Sequence, residues 1–447
     1  MKLLLITFLG VFTLLSCSKK ANDFSSTATI TTVFPLQAYQ EDYKQMVELL
    51  VEKHPKPYAF ISEDSLSILI EDQYNKINDS ISLGRFIWIC EKVVAAVQCG
   101  HSAVWTGQLQ NLPKAMRFPM NVRFHKEKLY IMDAKTNADK LEAGDEILSI
   151  NGVDIATLQK AIFTHLPSEG CNRAIQAEIA NDFFTQFCAM YFNFPTSFTV
   201  KVKHKEEMGE IHLAQATEFH PTKTFLDKGD KPLCFDTDLE NSTTTLTIRS
   251  FEYYKKQLPI FKSFVDSCFQ NIHENQIQNL IIDVRDNGGG DPFCSSYLLG
   301  YIADKPYTYF DKDIAWWYRK LKKPIQSKAN RFKNKPYILV NGKCLSTTGH
   351  FCSLVKENDW GIIVGEETGA TYTCNDFSKF YNFDNTNAFL RVATREVKTT
   401  VTSLSNKKGI IPDHHVTTNI QHYLSNIDTV LNYTLNLIEE KQLISKN

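Results

Sequence analysis

Ser346 closes the run Val340-Asn341-Gly342-Lys343-Cys344-Leu345-Ser346, which leaves a predicted strand and enters a predicted helix from about Thr347 to Lys356. A serine hydroxyl is a weak nucleophile and needs a base within hydrogen-bond reach. At a strand end it would be exposed, and the first N–H groups of the next helix would face negative charge developing on a carbonyl oxygen. The Thr347 N–H is one candidate donor. The run Gly288-Gly289-Gly290 follows another predicted strand and is a candidate for the second, because glycine permits close backbone approach. A neutral imidazole suits the work of general base near neutral pH. Such a set would carry acyl transfer to Ser346, then hydrolysis by water activated at the base. A plainer reading stands beside this: Ser346 as a helix N-cap.

The elements that must position these residues fall into three blocks. Residues 36–105 read as helical. Tyr43, Met46, Val47, Leu50 and Val51 repeat at helical spacing, and His54-Pro55-Lys56-Pro57 ends that helix. A second helix is expected from about Ser65 to Ile77 with Asp64 as N-cap, and a third from about Leu83 to Val97. Gly100-His101-Ser102 then breaks the pattern before a short strand, Ala103-Val104-Trp105. Residues 110–205 read as short strands around polar turns. Leu141 to Gly152 holds a strand between a glycine turn and an Asn-Gly hairpin turn. A polar connector spans 206–233. From 234 to 447 strands and helices alternate: a strand at Thr245–Ile248, a helix from Tyr253 to Gln270, and strands at Asn279–Val284, Tyr337–Val340 and Gly361–Gly365. That order predicts an α/β core with crossover helices.

Five motifs in one order carry a family resemblance: Gly100-His101-Ser102, Asp283-Val284-Arg285-Asp286-Asn287-Gly288-Gly289-Gly290, Val340 to Ser346, Val364-Gly365-Glu366-Glu367-Thr368-Gly369, and Gly409-Ile410-Ile411-Pro412-Asp413. Together they resemble the C-terminal processing (tail-specific) peptidases, which include the tricorn protease core. The resemblance implies a crotonase/ClpP-like α/β peptidase core with an N-terminal helical domain and a PDZ-like domain, the latter marked by the Leu141–Gly152 segment. It implies a serine endopeptidase acting on peptides or proteins without a cofactor. In the bacterial branch a lysine serves as base; Thr371 falls at its place here. The tricorn-like branch uses the histidine of the first motif, which is His101; its plainer reading is a structural histidine at a helix end. That branch also has a glutamate shortly before the last motif, where this chain has Ser405-Asn406-Lys407-Lys408. Glu366 and Asp376 are the substitutes considered for orienting His101. A second class stays open: an altered homologue that binds a peptide or apolar ligand.

Other local patterns point elsewhere and are weaker. Ser353-Leu354-Val355-Lys356 matches SxxK but falls inside a predicted helix. No Gly-Lys-Ser/Thr follows the glycine run, which excludes a phosphate loop. The basic run from Arg319 to Lys335 reads as a solvated loop.

Composition narrows the classes further. The 447 residues are 43% hydrophobic and 22% charged with a net charge of -1, ordinary for a globular chain. Lys and Arg number 49 against 50 Asp and Glu, so a nucleic-acid partner is not expected. Met1-Lys2 and the apolar run to Leu15 suit a secretory signal, and Leu14-Leu15-Ser16-Cys17 resembles the bacterial lipobox. Residues 1–16 are then a leader, Cys17 a lipid anchor to the membrane, and 17–35 a tether. The expected location is the bacterial cell envelope, facing the periplasm or the cell surface. The other ten cysteines show neither CxxC nor zinc spacing, so no structural metal is expected.

Overall fold

The computed structural model describes residues 28–205, 207–216, 231–311 and 314–446. The expected leader, Cys17 and most of the connector lie outside the described residues. Three helices come first: α1 (Leu36–Lys53), α2 (Glu63–Tyr74) and α3 (Leu83–Ala96). Helix α2 starts earlier than the sequence suggests. Ser62 is its cap, its hydroxyl accepting from the Ser65 N–H at 3.2 Å. Asp64 falls instead in the first turn, where a carboxylate favours the helix dipole. A short strand, β1 (Ala103–Trp105), follows.

An antiparallel sheet comes next, formed by β2 (Asn121–His125), β3 (Lys128–Asp133), β4 (Glu146–Ile150), β5 (Val153–Asp154), β6 (Thr199–His204) and β7 (Glu207–His212). Its order is β2-β3-β4-β6-β7, with β5 folded back on β4. Asn151 and Gly152 take φ of 46° and 78° between β4 and β5, as a two-residue turn with both central φ angles positive requires. Helices α4 (Ile155–Phe163), α5 (Ala174–Asp182) and α6 (Phe184–Tyr191) stand between β5 and β6.

The core alternates strand and helix: β8 (Leu233–Asp238), β9 (Thr243–Ile248), α7 (Leu258–Glu274), β10 (Asn279–Asp283), α8 (Pro292–Leu299), β11 (Tyr337–Val340), α9 (Thr347–Asn358) and β12 (Ile362–Gly365). Helix α7 begins later than expected, after a 3-10 turn at Lys255–Gln257 and with Pro259 in its first turn, where a missing N–H is harmless. Four strands follow, β13 (Thr373–Asp376), β14 (Lys379–Asn382), β15 (Phe389–Val392) and β16 (Arg395–Lys398). The chain ends with β17 (His414–His415), α10 (Ile420–Leu424) and α11 (Thr429–Lys446). The main sheet has the order β17-β12-β11-β10-β9-β8, parallel throughout except for β8 at its edge. The architecture is a multi-domain α/β fold.

Alternation along the strands explains the layers. Leu280, Ile282, Ile338, Val340 and Ile363 join a core shared with α7, α8 and α9. Ile281, Tyr337, Leu339 and Val364 face the other way, onto Val430 and Ile438 of α11. A parallel sheet covered on both faces must be apolar on both, and these strands are.

A buried ion network fixes the end of β10. Asp283 accepts from Arg249 through both oxygens at 2.8 Å, and from Arg285 Nε at 2.9 Å and Nη2 at 2.7 Å. The other edge of Arg285 meets both oxygens of Asp428, at 2.7 and 2.9 Å. Burial opposes ionisation of Asp283, yet the Arg285 and Arg249 charges hold its carboxyl well below the usual range. Asp283→Asn would leave the buried Arg249 guanidinium without its carboxylate and Arg285 with Asp428 alone, a change that costs about 3–5 kcal/mol. The expected outcome is a clear fall in urea midpoint near neutral pH. Because the folded-state pKa is depressed, this stabilisation is present above the unfolded carboxylate pKa of about 3.9. It is lost as pH falls below that value, so the gap between wild type and variant should narrow on acidification.

Candidate active site

Ser346 is the hinge between β11 and α9 and adopts φ 48°, ψ -121°. A non-glycine residue in that region is strained by roughly 1–3 kcal/mol and persists only when its surroundings hold it. A serine on a strained strand-to-helix turn exposes its hydroxyl at the C-terminal end of the strands. The surroundings here are specific. The Leu345 N–H donates to the Asn287 carbonyl at 3.1 Å, and the His350 N–H to the Ser346 carbonyl at 3.1 Å. The Thr347 hydroxyl donates to the Gly290 carbonyl at 2.7 Å. A side chain on Gly289 would strike the Ser346 Cβ at 2.8 Å and the Thr347 N at 3.0 Å. The glycine loop therefore lies directly against the nucleophile turn.

The candidate donors separate once their partners are counted. The Gly289 N–H is taken by the Asn287 side-chain oxygen at 2.9 Å. Gly290 is needed for packing, since a Cβ there would lie 2.3 Å from the Phe251 backbone. Among the described residues no acceptor takes the Thr347, Gly288 or Gly290 N–H. These three N–H groups are the ones left as candidates for an oxyanion. Ser346 has no side-chain capping bond, so the plainer N-cap reading does not describe it.

Each residue of Gly100-His101-Ser102 has a structural duty. Gly100 N–H and His101 Nδ1 both lie 3.2 Å from Oε1 of Glu169. A side chain on Gly100 would collide with that carboxylate at 2.8 Å. The Ser102 hydroxyl accepts from the Ala393 N–H at 3.1 Å, and the Ser378 hydroxyl donates to the His101 carbonyl at 3.1 Å. A carboxylate only accepts, so an ionised Glu169 draws the imidazole proton to Nδ1 and leaves the Nε2 lone pair free. Burial pushes the Glu169 carboxyl up, and its bond to His101 opposes this. On the other side of the ring, Nε2 lies 3.8 Å from Asp376 Oδ2.

Strand β13 joins the two halves of the site. Its Cys374 thiol is buried and lies against the Ser346 side chain and, at 3.6 Å, against His350 Nε2. Asp376, on the same face two residues on, reaches His101. Ser346 and His101 thus border one strand across two residues, a span of roughly 7 Å between backbone positions. Burial, reinforced by the neighbouring His101, pushes His350 down to about 3, so it stays neutral. Thr371, at the place of the family lysine, donates its hydroxyl to the Ser405 carbonyl at 2.8 Å.

Glu366 sits elsewhere. Burial and the like charge of Glu178 push its carboxyl up to about 7, against Arg123 and a bond to Thr417. It belongs to a cluster in which Arg123 meets Glu178 at 3.3 Å and the Tyr423 hydroxyl at 3.0 Å. The carboxylate that does meet His101 Nδ1 is Glu169, which the sequence reading missed. It lies in Ser168-Glu169-Gly170, a stretch that reads as a surface turn. The structure clamps that turn: the Gly170 N–H donates to the Gln98 carbonyl at 3.2 Å and the Cys171 N–H to the Lys407 carbonyl at 2.9 Å. The turn packs on the segment Ser405–Lys408 where the family resemblance expects a glutamate. A carboxylate absent from one stretch of chain is supplied by another that lies on it.

Comparison with known proteins finds a family model and similar folds. Residues 242–416 match the model of Peptidase family S41. That span holds the glycine loop, Ser346 and β13, and stops short of His101 and Glu169. Over that span the chain is similar to the S41 serine peptidases. Among solved structures, mature CPAF is similar over 92% of this chain and 99% of its own, at 13% identity and TM-score 0.61. Mature CPAF complexed with lactacystin is similar over 92% and 100%, at 12% identity and TM-score 0.60. At such identities the likeness is one of fold. No curated protein matches the chain in sequence.

Two outcomes test the geometry. Ser346→Gly removes the penalty of positive φ and should raise the melting temperature, by an amount equivalent to about 1 kcal/mol. Glu366 has a folded-state pKa of about 7 against an ordinary 4.5, so the folded state binds the extra proton between those values. Stability should fall as pH rises from 4.5 to 7 and then level off. Glu366→Gln should flatten that slope, read from melting temperatures across the range.

Proposed function

We propose that this protein is a cell-envelope serine endopeptidase, with Ser346 as nucleophile, His101 as base and Glu169 orienting the imidazole. The observation that carries the reading is the strained Ser346 turn, pressed by Gly289 and joined through β13 to a histidine whose Nδ1 faces a buried carboxylate. His101 Nε2 takes the Ser346 proton as Oγ bonds to the substrate carbonyl carbon. The oxyanion is received by the Thr347 N–H and an N–H of the Gly288–Gly290 loop. The C–N bond then breaks, the amine leaves with the proton from Nε2, and an acyl-enzyme remains on Ser346. Water gives a proton to Nε2 as its oxygen bonds to the ester carbonyl carbon; the C–Oγ bond then breaks, Oγ takes the proton back from Nε2, and the acid is released. The lipobox-like Leu14–Cys17 supports anchorage through Cys17.

A second reading, a homologue that binds peptide without cleaving it, is favoured by Thr371 at the lysine position and by Asp376 beside Nε2. Cleavage of a peptide library and labelling by a fluorophosphonate decide between them. Wild type should cleave and be labelled, and Ser346→Ala should lose both while keeping its melting temperature. Glu169→Gln, which keeps shape but favours the wrong tautomer, should lower kcat by about 10²–10⁴. No labelling of wild type, or cleavage surviving in Ser346→Ala, would sink the proposal.

A further inference from the structure

An aromatic shelf begins one residue from the carboxylate that faces His101. Phe377 lies between Asp376 and Ser378, the two β13–β14 residues that touch His101 through Nε2 and through its carbonyl. Its φ is 54°, a strained value for a bulky side chain and one that asks for a reason. The backbone is held there by the Thr394 hydroxyl, which donates to the Phe377 carbonyl at 2.7 Å, and by the Thr394 N–H on the Asp376 carbonyl at 2.9 Å. The effect is to aim the ring at Trp317, centroid to centroid 5.6 Å, and at Tyr318, 6.4 Å. Trp316 continues the shelf 5.9 Å beyond Trp317. Trp316 is 70% exposed and Trp317 45%. Large aromatic faces open to solvent in one contiguous patch mark a binding surface.

We infer that the Phe377–Trp317 shelf is a substrate subsite that takes a large uncharged apolar side chain within a residue or two of the scissile bond. This rests on the peptidase reading above. The patch is continuous with the catalytic histidine, so the occupant is the peptide being cleaved. Consecutive Cα atoms are about 3.8 Å apart, so Phe377 lies within one or two residues of any carbonyl placed between Ser346 and His101. Charge does not select the occupant: Asp376 lies at one side of Phe377, and the Arg395 guanidinium lies 5.9 Å from its ring. Burial of a Phe or Leu side chain against rings would then set the preference, worth roughly tenfold to hundredfold over Ala.

The test uses the full chain carrying Ser346→Ala and a peptide series with Phe, Leu, Ala or Lys at one varied position, titrated by calorimetry. Phe and Leu peptides should bind roughly ten to a hundred times more tightly than the Ala and Lys peptides. Trp317→Ala and Phe377→Ala should each erase most of that difference, and Trp317→Phe should restore it. Trp317 is exposed enough that its variants should keep the parent melting temperature. Equal binding of all four peptides, or a preference untouched by both substitutions, overturns the subsite. So does a shelf that binds anionic vesicles, loses them in Trp317→Ala and leaves peptide preference unchanged. Cleavage by the Ser346 protein is read separately. Its absence with the preference intact removes the peptidase reading and leaves the subsite standing.

Discussion

The grip of Arg249 and Arg285 on Asp283 is the constraint on which the site depends. It lies at the C-terminal end of β10, where the chain must leave a buried strand and turn at once into the glycine loop. A lone carboxylate could not be ionised there; burial alone would favour its neutral form. With two guanidinium groups it becomes the fixed point of the turn, and Arg285 extends the grip to Asp428 ahead of α11. The strand end, the loop and the covering helix are therefore one charged unit. The strained Ser346 turn needs that rigidity, because the glycine loop that presses on it through Gly289 starts five residues beyond Asp283.

The second requirement is delivery of His101, and the main sheet has no part in it. Strand β1 pairs antiparallel with β15, Ala103 opposite Arg391. The turn before β15 is bound to the first helix, where buried Asp42 accepts from the Thr386 N–H at 2.7 Å and the Asn385 N–H at 3.0 Å. The hydrophobic core follows the same logic: Leu390 and Val392 pack with the N-terminal helices rather than with the parallel sheet. A segment of the C-terminal half thus serves the N-terminal block as its own strand. His101 is placed by that exchange, and β13 of the same region meets Ser346.

Much of this was legible in the sequence where local rules operate. The glycine run, the apolar strands at 279–283 and 337–340, and the helix after Ser346 follow from composition and alternation, so the Ser346 half of the site could be read directly. The His101 half rests on pairings between distant segments. Glu169 gave no signal because a carboxylate in a Ser-Glu-Gly stretch looks like any solvated turn; only the Gln98 and Lys407 carbonyls make it a buried one. Glu366 drew notice through its motif, yet its neighbours across the domain boundary are Arg123 and Glu178. Asp64 lost the cap to Ser62 by two positions, a choice that turns on one hydroxyl bond. Strain at Ser346 and Phe377 is invisible in a residue string, since neither is a glycine.

The pairing of β1 with β15 also sets an order in time. During synthesis the N-terminal helices and His101 emerge first, the Ser346 turn next and β15 last of the three. Non-local pairing of this kind forms slowly, because a long loop must close before it is rewarded. The β1–β15 pairing that places His101 therefore cannot form in the growing chain until synthesis has passed residue 391. Ser346 and His101 are thus brought to one strand region only after most of the chain between them and beyond has been made.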